Sequence, residues 1–156
     1  MKVILFVLAL PFLLLSGGLL LNRPPLLSPP GPFERVRTYL TTNVAESQAD
    51  HVFPELRPLR LRADRNQVRD AVVAAMEALG WTDIEARDSE VRAVVVTTLF
   101  RFRDDVTAWT EQAGADTLVQ VRSASRIGKG DLAANARHIL DLFERTRAGL
   151  EGSGRK

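Results

Sequence analysis

The 156-residue chain has no cysteine, only two histidines and a single tyrosine, and aromatic residues make up 6% of it. Without cysteine there is no disulfide, thiolate zinc site, iron–sulfur cluster or thiol nucleophile. His51 and His138 lie in unrelated segments with no ligand spacing, so no metal site is expected, and each reads as a surface or cap residue. Charge of one sign is lacking too: 21 basic residues face 19 acidic ones, for a net +2. Acids and bases alternate along the chain, and neither Phe33–Arg37 nor Phe100–Arg103 grows into the basic, aromatic-laced face that nucleic acid requires. Nucleic acid is therefore excluded as a partner, and no cofactor motif is present.

One long apolar run is present. Val3–Leu21 carries no charge over 19 residues and ends at Asn22 and Arg23. As a helix it would span about 28 Å, close to the thickness of a bilayer's hydrocarbon core. A cleaved signal peptide needs small residues at its cut, which Ser16 and Gly18 supply, but Leu19-Leu20-Leu21 would then remain on the product. The full apolar length favours an uncleaved anchor, so residues 3–21 are expected to lie in a lipid bilayer with the following domain outside the cytoplasm. Gly18 stands where a lipoprotein would carry its cysteine, which excludes lipidation there.

The expected organisation is an anchor or signal segment over 1–22, a Pro-rich tether and irregular lead-in over 23–50, a globular domain over 51–150 and a tail over 151–156. Pro24, Pro25, Pro29 and Pro30 favour extended backbone in the tether, and the irregular stretch Phe33–Pro54 is expected to hold a short turn of helix around Glu34–Leu40. Leu59, Leu61 and Ala63 alternate with Arg60 and Arg62, as in a half-buried strand. Asp64 with Gln67 forms a capping box, followed by Val68, Ala71, Val72, Ala75, Met76 and Leu79 at helical spacing and a stop at Gly80. Strands are expected over Thr82–Arg87, Glu90–Phe102, Asp105–Glu111 and Asp116–Ser125, with turns at Arg103-Asp104 and Gln112–Ala115. Asp131 caps a second helix with Leu132, Ala136, Ile139, Leu140 and Phe143 inward. The order β-α-β-β-β-β-α predicts a two-layer α+β domain, a mainly antiparallel sheet with helices on one face, preceded by the transmembrane segment.

Polar residues concentrate in Arg101, Asp104 and Asp105, in Arg122, Ser123, Ser125 and Arg126, and in Lys129, Asp131 and Asn135. Alternation places Arg122 and Arg126 on one sheet face and Ser123 and Ser125 on the other, and it separates Asp104 from Asp105. The first reading is structural: an aspartate–arginine pair fixes register, the serines bond to backbone, Asp131 caps its helix and Asn135 clamps the loop. The second is a polar or anionic ligand site, since Gly128-Lys129-Gly130 leads into a helix N-terminus, although Asp131 would compete for the same N–H groups. A hydrolase or metal-dependent enzyme built on Asp104, Asp105 and the serines is the remaining alternative. No Gly-x-Ser-x-Gly elbow accompanies those serines.

At these residues the chain resembles a bacterial and plastid family, domain of unknown function 1499. The likeness rests on Arg122-Ser123-Ala124-Ser125-Arg126-Ile127-Gly128, on Asp131-Leu132 and Asn135, and on Phe102-Arg103-Asp104-Asp105. Asn43 and Ser47-Gln48-Ala49 support it, and it covers roughly Asn43 to Phe143. The chain departs from the family at a cysteine pair, where Val44 and Thr38 stand, at Gly130 in place of Ser or Thr, and at Ala136 in place of arginine. The resemblance implies a small envelope-associated domain without established activity. The expectation is thus a single-pass protein of the bacterial inner membrane, its domain facing the periplasm, or a cleaved and secreted form of it. Its function would be non-catalytic binding or scaffolding of a protein partner or small polar ligand.

Overall fold

A computed structural model of the chain describes residues 16–97 and 101–153. The elements run α1 (Pro32–Thr41), β1 (Val44–Glu46), a 3-10 turn (Pro54–Leu56), β2 (Leu59–Leu61), α2 (Arg65–Ala78), β3 (Thr82–Ala86), β4 (Glu90–Val96), β5 (Arg103–Ala113), β6 (Asp116–Ser125) and α3 (Ala134–Ser153). Residues 16–22 are also helical. The fold is α+β, with one antiparallel sheet in the order β1-β6-β5-β4-β3. β2 joins the outer edge of β6 next to β1: Leu59 pairs with Val119, and Val44 with Ala124.

Alternation within the strands builds the core. Val91, Ala93 and Val95 of β4, Val106 and Ala108 of β5, and Val119 and Val121 of β6 are buried on the face that meets Val68, Val72 and Met76 of α2 and Ile139 and Leu142 of α3. The opposite face carries Arg92, Asp105, Thr107, Trp109, Gln120 and Arg122, half-buried or exposed. α2 starts on the capping box, with Asp64 accepting from the Asn66 N–H at 2.8 Å and Gln67 accepting from the Asp64 N–H at 3.2 Å. Gly80, at φ 72°, ends the descent from it.

Several expectations are corrected. The strong strand stops at Val96 instead of reaching Phe102, and Arg103-Asp104 is not a turn. Arg103 pairs with Val96 and Asp104 with Val95, so both belong to β5. Between the two strands the Thr97 N–H reaches Phe102 O and the Arg101 N–H reaches Thr97 O. At the other end of β5 the turn is confined to Gly114 and Ala115, since Ala113 pairs with Asp116.

In the lead-in the helical turn expected around Glu34–Leu40 is present as the longer α1, while the rest is less irregular than expected: β1 lies in it, and Tyr39 joins the core. Residues 24–31 turn back on themselves, held by Arg35, whose guanidinium donates to Ser28 O at 3.1 Å and Pro29 O at 2.6 Å. Arg35 is fully buried, pairs with both oxygens of Glu55 and stacks 4.3 Å from the Phe53 ring. At the carboxyl end α3 continues to Ser153, through residues expected to fray.

The expected membrane segment falls mostly on residues 1–15, outside the described residues. Among those described, no helix is long and apolar enough to cross a membrane. Residues 16–22 lie against the domain: Asn22 donates to Leu132 O at 2.8 Å, and Gly18 sits directly beneath the Leu132 side chain.

Candidate functional site

The pleat of β6 splits the Arg-Ser-x-Ser-Arg run into two environments. On the helix face Ser123 is fully buried, and its hydroxyl donates to Asn135 Oδ1 at 2.5 Å. Asn135, also fully buried, uses its amide N–H groups on Asn43 O at 2.7 Å and Ser125 Oγ at 3.0 Å. Asn43 completes the clamp by donating to Ser125 O at 3.1 Å and Gly128 O at 2.8 Å. One asparagine on α3 and one after α1 thus tie the end of β6 to the loop that leaves it. A buried amide with all its donors matched stabilises such a junction, whereas an unmatched one would destabilise it.

His138, one helical turn beyond Asn135, was not foreseen as a member. It is mostly buried, with Nδ1 3.3 Å from Ser123 Oγ and 3.7 Å from Asp104 Oδ2. Because the Ser123 proton is committed to Asn135, the matching tautomer carries its hydrogen on Nδ1, directed at these two oxygens. Burial holds the imidazole down at about 4, against a smaller upward pull from Asp141, so it is neutral at physiological pH. Trp81 packs edge-on against the ring with centroids 6.1 Å apart.

Asp104 completes the buried group and is 1% exposed. Neither of its carboxyl oxygens has a hydrogen-bond partner, and burial pushes its pKa up, opposed by the Ser125 hydroxyl across the strand pair. Residues 104, 123 and 138 therefore bring a carboxyl, a hydroxyl and an imidazole together without the geometry of nucleophilic catalysis. Serine and aspartate both face the same ring nitrogen, while a catalytic base must take the serine proton on one nitrogen and be steadied through the other. The hydroxyl is sealed from solvent as well. The arrangement joins helix to sheet.

On the open face the arginines are paired. Arg126 makes a bidentate contact to Asp105 at 2.6 and 3.0 Å, and the guanidinium holds the carboxyl below its usual range. Arg122 approaches Glu46 of β1 at 3.9 Å, a partner the sequence reading did not identify. Asp104 and Asp105 point to opposite faces, as alternation requires, and among the described residues no group of three or more metal-ligating side chains occurs.

Beyond the strand ends, Arg101 (φ 56°) and Lys129 are exposed on neighbouring loops. Asp131 occupies the entry to α3, accepting from the Ala133 N–H at 3.0 Å and the Asn135 N–H at 2.9 Å. The carboxylate thus holds the N–H groups that an anion would need. Burial raises its pKa against those bonds. Leu132 and Ala133, at φ 54° and 71°, turn left-handed between the cap and α3, so the helix begins later than expected. A cavity of about 270 Å³ opens beside this entry, lined by Tyr39, Glu46, His51, Phe53 and Asp131 among others.

A family model described as a protein of unknown function (DUF1499) matches residues 36–145. No curated protein matches the chain.

Proposed function

The chain belongs to the DUF1499 family, and on that footing we propose that it is a non-catalytic binding domain of the bacterial envelope, tethered to the inner membrane through residues 3–21 and facing the periplasm. The carrying observation is the division of its polar cluster, with Ser123, Asn135 and Asp104 inside and Arg122 and Arg126 outside. The Ser123 hydroxyl is committed to holding α3 on the sheet through Asn135, and the Asp104 carboxyl is sealed beneath them. The groups that remain accessible suit recognition.

Arg126 and Arg122 already face carboxylates, so a small free anion would have to displace Asp105 or Glu46. A protein partner presenting both signs of charge, with an apolar centre over Trp109 and Leu118, fits that face better. The test is native mass spectrometry and pull-down with the full-length, detergent-extracted protein and its Arg122→Gln/Arg126→Gln double variant. The reading requires that the variant keep its circular dichroism spectrum and lose a bound species. Loss of that species with Ser123→Ala but not with the arginine changes would overturn it, as would turnover that disappears with Asp105→Asn.

A further inference from the structure

Residues 16–23 enter the domain at one end, and that end has a composition of its own. Asn22 bonds to Leu132 O, and Gly18 lies under the Leu132 side chain. The Leu132 N–H in turn bonds to Tyr39 O, and the Asn43 amide to Gly128 O. The Arg126 N–H reaches Arg103 O, which brings the start of β5 to the same end. The apolar run therefore already touches the folded domain at Gly18 and Leu19, before it ends at Leu21. No slack separates the two, so a bilayer holding the part of the run that precedes this contact must lie against this end of the domain.

What the end presents matches a charged lipid surface. Ile127 is 63% exposed, and Leu20 and Leu21 are 75% and 69% exposed. Arg23, Arg101, Arg103 and Lys129 are exposed around them, and no ion pair to any of the four occurs among the described residues. Of the nearby acids, Asp105 is taken up by Arg126, Asp131 is turned inward as a helix cap, and Asp83 acts on Arg126 from a distance. Apolar side chains ringed by unpaired cations are the composition that settles in the headgroup region of an anionic leaflet.

We infer that the loop Arg126–Gly130 and the start of β5 dock on the anionic lipid surface, with Ile127 inserted among the headgroups and Arg101, Arg103 and Lys129 on the phosphates. The inference rests on the tethering part of the proposed function and goes further, because it fixes the domain's orientation and leaves the open sheet face free beside the membrane.

The absence of native cysteine makes a direct test available. Full-length Ile127→Cys carries an environment-sensitive fluorophore and is reconstituted into phosphatidylglycerol–phosphatidylcholine vesicles. A label at Ala115→Cys, on the far turn of the β5–β6 hairpin, is the aqueous control. Position 127 is expected to shift to blue emission and be quenched by brominated lipid, position 115 to do neither, and phosphatidylcholine alone to weaken the effect. Neutralising Arg101, Arg103 and Lys129 to Gln should lower the docked-to-undocked ratio about fivefold per cation removed. A label at Phe102→Cys gives a second readout should the loss of Ile127 itself weaken contact. Vesicle flotation separates the two ideas. Protein that floats with a fully aqueous label at 127 and 102 overturns the docking inference alone, and protein that does not float overturns the tether and the docking together.

Discussion

Acid should destabilise this domain through His138. Burial under Trp81 and against β6 holds the imidazole at about 4, below its ordinary 6.5. An unfolded chain binds that proton near pH 6.5, whereas the folded one does not until about pH 4. The stabilisation is therefore complete above pH 6.5 and is lost as the pH falls through the window to about 4, about 3 kcal/mol in all.

Asp104 contributes the opposite slope. Burial raises its carboxyl above 3.8, so the folded state retains a proton that the unfolded state releases, and stability falls as the pH rises through that interval. Asp105 adds to the rise, and Asp131 interacts with Asp104 from the helix entry. The raised Asp131 carboxyl slopes the same way as Asp104, so His138 is read in an Asp104→Asn background as the difference made by removing the imidazole.

The assay is urea unfolding of the full chain in detergent, followed by circular dichroism across that window. Between neutral pH and pH 4 the unfolding free energy of Asp104→Asn should fall by about 3 kcal/mol more than that of the same protein carrying His138→Asn. That second change keeps a nitrogen or oxygen near the Nδ1 position and should remove this part of the slope whatever it costs in packing. Native-state Trp81 fluorescence should titrate with the imidazole near pH 4. Equal slopes with and without His138→Asn, or a native histidine titrating at its ordinary value, would refute the assignment of this burial cost.

Three further outcomes follow from the same contacts. Asp104→Asn alone should stabilise the protein by about 1–3 kcal/mol at pH 8, because a buried carboxylate without hydrogen bonds is replaced by a neutral amide. That gain should vanish in urea melts at a pH below the carboxyl's ordinary range. Asn135→Ala removes the partner of Ser123, Ser125 and Asn43 at once and should destabilise by about 2–4 kcal/mol, with amide exchange accelerating first at the β6–α3 junction. Arg35→Leu leaves Glu55 and two carbonyls without their donor and should cost about 3 kcal/mol, whereas Arg126→Gln, whose ion pair is half exposed, should leave the melting temperature almost unmoved.

The parts of the fold legible in the sequence were those with a repeating local signal. The Asp64–Gln67 box, the spacing from Val68 to Met76 and the alternation from Asp116 to Ser125 each repeat a physical requirement several times. The hairpin between β4 and β5 was misplaced because Val91–Val96 runs on in sequence into Leu99 and Phe100, so propensity continues past the end of β4. Pairing of Val96 with Arg103 decides the reversal, and that is a long-range fact. β1 has three residues, too few for a period to show, and it exists because β6 offers it an edge. Arg35 reads as a surface base, and nothing local reveals the Glu55 carboxylate and Phe53 ring that make it a buried one. His138 did leave a trace: it stands three residues after Asn135 and four before Leu142, the spacing of a single helix face. Looking for what that face would meet on β6 would have found Ser123.

The Arg-Ser-x-Ser-Arg run has an explanation that requires no ligand. At the end where the run lies, β6 has β5 on one edge, β1 on the other and α3 across one face. Successive side chains there point alternately inward and outward, so five residues address every neighbour in turn. Ser123 and Ser125 reach α3 through Asn135, Arg122 reaches β1 through Glu46, and Arg126 reaches β5 through Asp105. Small hydroxyls suit the sealed side, where a longer polar group would leave an unmet donor. Guanidiniums suit the wet side, where Arg126 meets Asp105 with a planar fork and Arg122 approaches Glu46 through one nitrogen. The two halves should therefore tolerate change differently. Substitutions at the serines act on folding, whereas substitutions at the arginines leave the fold and alter only what the open face can bind.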